Sequence, residues 1–298
     1  MRQHRPTEGH VIIGRARLYY REVGAGRPVI VIHGGPDFDH RYLLPELDRL
    51  ADELHLVYYD QRGRGRSAVG VRPEDVTIAS EMADLDELRR HLGLASVAVL
   101  GHSWGGMLAM EYATRHPDRV SQLILMNTAP ASAADWQVLH DHLRRIRTPT
   151  ELERIQAIAA SDAFRSGEIE SEMEYYRLHF RPALAPELID MIVDRLRAHL
   201  TAEDVRRARA IEDRLYDETA SSRDYDLLPR LRTLNVPALV LHGAHDFIPA
   251  ALAAHIADAI PAAVLTVLPG CRHFAYLEAP ERVHQQIAAF VGSGPRQR

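Results

Sequence analysis

The chain has one cysteine, Cys271, among 298 residues. A lone thiol cannot close an internal disulfide, so stability must rest on packing, and a reducing cytoplasm is the expected compartment. There is also no uninterrupted apolar stretch of about 18 residues, which excludes a membrane-spanning helix on hydropathy. Residues 1–8 are charged and poor in apolar side chains, so the apolar segment of a secretory signal is missing as well. Charge of one sign is equally scarce: 36 Lys and Arg stand against 41 Asp and Glu, well mixed, for a formal net charge of −5. That balance argues against nucleic acid or an anionic membrane as partner and for a small molecule or short peptide. It leaves the oligomeric state open.

What is present is enough to build a core. Hydrophobic residues make up 46% and charged residues 26%, ordinary globular usage that excludes a disordered chain. The length suits one large α/β domain carrying an insertion. Residues 11–13 and 17–23 are short β-rich runs separated at Gly14 and closed by Gly24 and Gly26, a pattern that predicts an antiparallel start. Residues 28–32, 54–59, 96–100, 122–126, 238–241 and 263–268 are continuous apolar runs rather than alternating ones. Strands covered by helices on both faces read this way, so the sheet is expected to be mostly parallel. Ile78, Met82, Leu85, Leu88 and Leu92 recur at helical spacing, with Gly93 as the stop. From residue 131 to 228 the strand rhythm ceases and charged helical patterns take over. The expected division is therefore a core of residues 1–130 and 229–298 with a helical cap, 131–228, inserted after the sixth strand. Residues 295–298 read as a frayed tail.

The strongest chemical signal is Gly101-His102-Ser103-Trp104-Gly105-Gly106, a G-x-S-x-G run that ends a predicted strand and opens a predicted helix. A serine on so sharp a turn is pushed toward substrate, and the helix amino terminus favours the negative charge of acyl transfer. A hydroxyl is a poor nucleophile at neutral pH, so a base must take its proton and an acid must orient that base. Asp246, just past the strand 238–241, and His273, just past the strand 263–268, follow Ser103 in that order. Each stands at a strand's carboxyl end, where such sheets bind ligands. His33-Gly34-Gly35-Pro36-Asp37 follows another strand and offers backbone donors for an oxyanion: the amide of Gly35, with Gly34 as the alternative, paired with that of Trp104. Asp60 and the glycines after it do not make a phosphate loop and read as a structural turn. His242 and His245 beside Asp246 lack third and fourth ligands at matching spacing, so neither metal nor cofactor is expected. Cys271 reads as packing.

These residues resemble the proline iminopeptidase branch of the α/β hydrolases. The matching stretches are HGGP at 33–36, YDQRGRGRS at 59–67, GHSWGG at 101–106, HGAHD at 242–246 and GCRH at 270–273, spread over about two-thirds of the chain. The resemblance implies an α/β-hydrolase fold, a serine hydrolase with the triad Ser103, Asp246 and His273, and the same oxyanion donors. It further implies that cap carboxylates hold the free ammonium of an amino-terminal residue, with Glu212 and Glu218 as candidates and Asp213 and Asp217 nearby. Asp37 departs from it, standing where the family continues with glycine. Two other functions stay open beside the peptidase: a carboxylesterase using the same machinery, and a noncatalytic binding protein on the same fold.

Overall fold

A computed structural model describes residues 4–294; the tail at 295–298 lies outside the described residues. Eight strands are present: β1 (Thr7–Ile13), β2 (Ala16–Gly24), β3 (Arg27–Ile32), β4 (Leu54–Tyr59), β5 (Val97–His102), β6 (Val120–Met126), β7 (Ala238–Gly243) and β8 (Ala263–Leu268). They form one sheet in the order β1-β2-β4-β3-β5-β6-β7-β8. The pairs β1·β2 and β2·β4 are antiparallel, and every pair from β4 to β8 is parallel. Strand order jumps at β3, so neighbouring crossovers leave in opposite directions and open a crevice at the carboxyl ends of β3 and β5.

Helices α1 (Ile78–His91) and α2 (Trp104–Arg115) follow β4 and β5. Near the carboxyl end lie α10 (Ala250–Ala259), α11 (Ala275–Glu278) and α12 (Pro280–Ser293). Residues of β5 and β7 are buried throughout, with no alternation, because helices cover both faces. The apolar run in β8 has a different cause from the one its composition suggests. It is the edge strand, and Val264 is 58% exposed. Among the described residues no helix is long and apolar enough to cross a membrane.

Between β6 and β7 the chain forms seven α-helices: α3 (Ala133–Ile146), α4 (Pro149–Ala159), α5 (Asp162–Ser166), α6 (Ile169–His179), α7 (Ile189–Arg197), α8 (Ala202–Glu218) and α9 (Leu228–Leu231). The two ends of this segment meet, with Leu227 N–H donating to Ala131 O at 2.9 Å and Ala133 N–H to Tyr225 O at 2.7 Å. Ser132, Thr148 and Thr201 supply the amino-terminal caps of α3, α4 and α8.

One buried arginine ties these helices to the core. Arg197, at the end of α7, pairs with Asp37 in the loop after β3 and with Glu172 of α6, and its guanidinium lies 4.1 Å from the Tyr176 ring centre and 4.9 Å from that of Phe38. All three charges are sealed from water. Arg197→Met should therefore leave Asp37 with only the Tyr176 hydroxyl and Glu172 with only Arg209, and cost about 3–5 kcal/mol in urea unfolding. A loss below about 1 kcal/mol would mean that the carboxylates do not depend on it.

Candidate active site

Ser103 sits between β5 and α2 at φ 55°, ψ −121°, one of only two non-glycine residues with positive φ among the described residues. Holding a β-carbon there costs about 1–3 kcal/mol, a cost that surrounding packing must offset. The close approach of helix and sheet shows why: a β-carbon on Gly105 would strike the carbonyl oxygens of Ile32 and His33. Although Ser103 occupies the N-cap position, its hydroxyl makes no capping hydrogen bond. It faces a cavity of about 470 Å³ instead.

His273 lines the same cavity. Its Nδ1 lies 3.0 Å from Asp246 Oδ1 and 3.1 Å from Oδ2. A carboxylate only accepts, so Nδ1 carries a hydrogen, and in the neutral ring the lone pair is then on Nε2. Asp246 is buried and further fixed by Asn127 Nδ2, donating to Oδ2 at 2.7 Å, and by Ile248 N–H, donating to Oδ1 at 2.9 Å. Burial opposes its ionisation, but the charges of His273 and His242 and the hydrogen bonds from His273 and Ile248 hold its carboxyl below the ordinary aspartate value. The backbone of His273 is also held, its N–H donating at 3.0 Å to Ala183 O in the turn between α6 and α7.

The three loops are joined by a chain of hydrogen bonds through His102. Burial, then the charge of His273, pushes the His102 imidazole down to about 3, so the ring is neutral. His273 O accepts from Nε2 (3.1 Å), which therefore bears the hydrogen. Nδ1 then accepts from the Tyr42 hydroxyl (2.7 Å), whose oxygen accepts from Gly34 N–H (2.8 Å). This corrects the alternative oxyanion assignment: the Gly34 amide is already engaged by Tyr42. The amides of Gly35 and Trp104 have no partner among the described residues, and both residues line the cavity. Gly35 has φ 127°, a conformation that only glycine adopts readily.

Of the two carboxylates proposed to meet an ammonium, the structure brings one to the cavity. Glu212 lines it, while Glu218 turns away, accepting from Ile78 N–H at 3.0 Å at the start of α1 and facing Arg214. The cause is helical phase. Six residues on α8 amount to about 240° of rotation, so the two point in different directions, whereas Glu212 and Tyr216, four apart, share a face. Burial, then the charges of Asp37 and Asp213, pushes the Glu212 carboxyl well above its usual value, with Arg197 and Tyr216 acting the other way. Asp213 also lines the cavity, at an exposed position, and Asp217 is exposed.

A family model described as the alpha/beta hydrolase fold matches residues 27–280. The chain belongs to this family. It is a hydrolase of the proline iminopeptidase-like kind. It is 29% identical over 285 residues to a proline iminopeptidase of Clostridium botulinum, covering 93% of this chain and 94% of that one. Against the proline iminopeptidase of Lactiplantibacillus plantarum it is 30% identical over 273 residues, covering 88% and 92%. The crystal structure of VinJ superposes with a TM-score of 0.75 at 26% identity, covering 96% of this chain and 98% of that one.

Several side chains that organise the site of this α/β hydrolase escape a reading of its sequence. Tyr42 lies 60 residues from His102, and Asn127 lies 119 from Asp246, so no local spacing marks either. Asn127 does carry a signal, since asparagine directly after a parallel strand often takes the positive φ found here, 48°. Asp60 is held as a structural residue by His40 Nδ1 (2.6 Å) and Arg66 N–H (2.8 Å). His242 meets Ile248 O at 2.9 Å and His245 is exposed. Cys271 is buried.

Proposed function

We propose that this protein is a serine hydrolase that releases the amino-terminal residue of short peptides through an acyl-enzyme, with helices α3–α9 acting as a cap over the site. The observation that carries the reading is that a single cavity is lined by Ser103, His273 and the carboxylate of Glu212. Ser103 attacks the carbonyl carbon as His273 Nε2 takes the hydroxyl proton. Asp246 stabilises the resulting imidazolium, and the Gly35 and Trp104 amides receive the charge on the carbonyl oxygen. The imidazolium then protonates the leaving amine. Water, activated by the same imidazole, completes hydrolysis and restores the serine.

Only a substrate with a free ammonium has something to offer Glu212. Prolyl and alanyl p-nitroanilides should therefore turn over, their N-acetyl forms should not, and Glu212→Gln should raise KM for the free-amine substrates about ten- to hundredfold. The check is a comparison with p-nitrophenyl acetate. An enzyme that hydrolyses the ester yet ignores the free-amine anilides is a carboxylesterase and not this peptidase.

A further inference from the structure

The loop after β3 brings a second carboxylate to the cavity. Asp37 lines it, yet its side chain is almost wholly enclosed, at 4% exposure for the residue. Its Oδ2 accepts from the Tyr176 hydroxyl at 2.8 Å and from Arg197. Its Oδ1 has no hydrogen-bond partner among the described residues. A buried carboxylate oxygen left bare is costly, and natural structures seldom keep one without a reason.

Arg197 is shared between Asp37 and Glu172, and Arg209 pairs with Glu172. Asp37, Glu172 and Glu212 thus lie among the guanidiniums of Arg197 and Arg209, with Arg147 beside His179, and Asp213 adds a further acid at an exposed position on the cavity wall. His179, which also lines the cavity, adds no cation, because burial and nearby Arg147 push it down to about 3. A group that reaches Asp37 Oδ1 must therefore bring an N–H or O–H donor to a buried carboxylate lone pair.

We propose that Asp37 Oδ1, together with Glu212, takes the ammonium of the substrate's amino-terminal residue. The inference rests on the aminopeptidase reading and adds a specificity-determining residue to it. A prolyl ammonium has two N–H donors, one for each carboxylate; a primary ammonium has one to spare. Asp37 stands two residues beyond Gly35, so the anchor for the ammonium and the donor to the carbonyl oxygen belong to one short loop. That arrangement selects acyl groups whose amine is on the α-carbon.

The test compares alanyl p-nitroanilide with p-nitrophenyl acetate on wild type, Asp37→Asn and Asp37→Glu. Asparagine keeps an oxygen for Tyr176 and Arg197 but removes the charge. Glutamate keeps the charge and displaces it by a methylene, which covers the case of an asparagine variant that does not fold. The ratio of kcat/KM for the anilide to that for the ester should fall about ten- to hundredfold in either variant, the loss residing in KM. Equal losses on both substrates, or an unchanged ratio, would overturn the role of Asp37. Wild-type turnover that depends on a free amine, with Asp37 variants indifferent, sinks this inference alone; wild type inert toward the anilide sinks the aminopeptidase reading beneath it.

Discussion

Ser103→Ala is expected to fold like the wild type and to lose turnover of both anilide and ester by a factor on the order of 10⁶ in kcat. Alanine retains the β-carbon, so it inherits the φ of 55° and its strain, and the melting temperature should hardly move. Only the hydroxyl is gone, and because it makes no capping bond to α2 its removal leaves no helix amide newly unpaired. Nucleophile and base act as a unit, which is why removing one atom forfeits nearly the whole effect. A fluorophosphonate probe that labels wild type should not label the variant. Residual activity above about 1% of wild type, in a preparation free of contaminating hydrolase, would show that the reaction runs through some other group.

Asp246→Asn should lower kcat about 10⁴-fold while leaving KM nearly unchanged. Both carboxylate oxygens face His273 Nδ1, and each already accepts from a second donor, Ile248 N–H on Oδ1 and Asn127 Nδ2 on Oδ2. An amide has one oxygen. If its NH2 turns toward His273, the imidazole hydrogen must move to Nε2, and the base can no longer take a proton from Ser103. The NH2 also confronts one of the two fixed donors, which leaves that donor unsatisfied at a cost of about 1–3 kcal/mol in stability. The pH response has a definite sign. Because the folded carboxyl titrates below its ordinary value of 3.8, Asp246 contributes stability above that value and loses it as pH falls through the lower folded one. The asparagine variant should lack that portion of acid unfolding. A variant keeping a tenth of wild-type kcat would show that the carboxylate does not set the tautomer.

Much of this architecture could be read from residue order. Six continuous apolar runs correspond to six strands, five of them because a doubly covered strand has no polar face to interrupt it, β8 being the exposed edge, and the G-x-S-x-G turn falls at the strand-to-helix junction where β-carbons on Gly101 and Gly105 would strike backbone. The failures share a cause. The resemblance offers Glu218 beside Glu212, but direction on a helix depends on phase, and six residues along α8 Glu218 points elsewhere. Gly34 is the lesser alternative to Gly35 on sequence, and what removes it is Tyr42, eight residues on, which takes its amide. Arg197 is one of 36 basic residues, and nothing in its neighbourhood distinguishes it from the solvent-facing arginines around it. What distant pairing decides, local pattern does not reveal.

The bond from His273 N–H to Ala183 O has a mechanical side. The loop bearing the imidazole is moored to the roof above it as well as to the sheet below. On the proposal that helices α3–α9 cover the site, any displacement of that cover that parted this bond would take one of the loop's anchors with it.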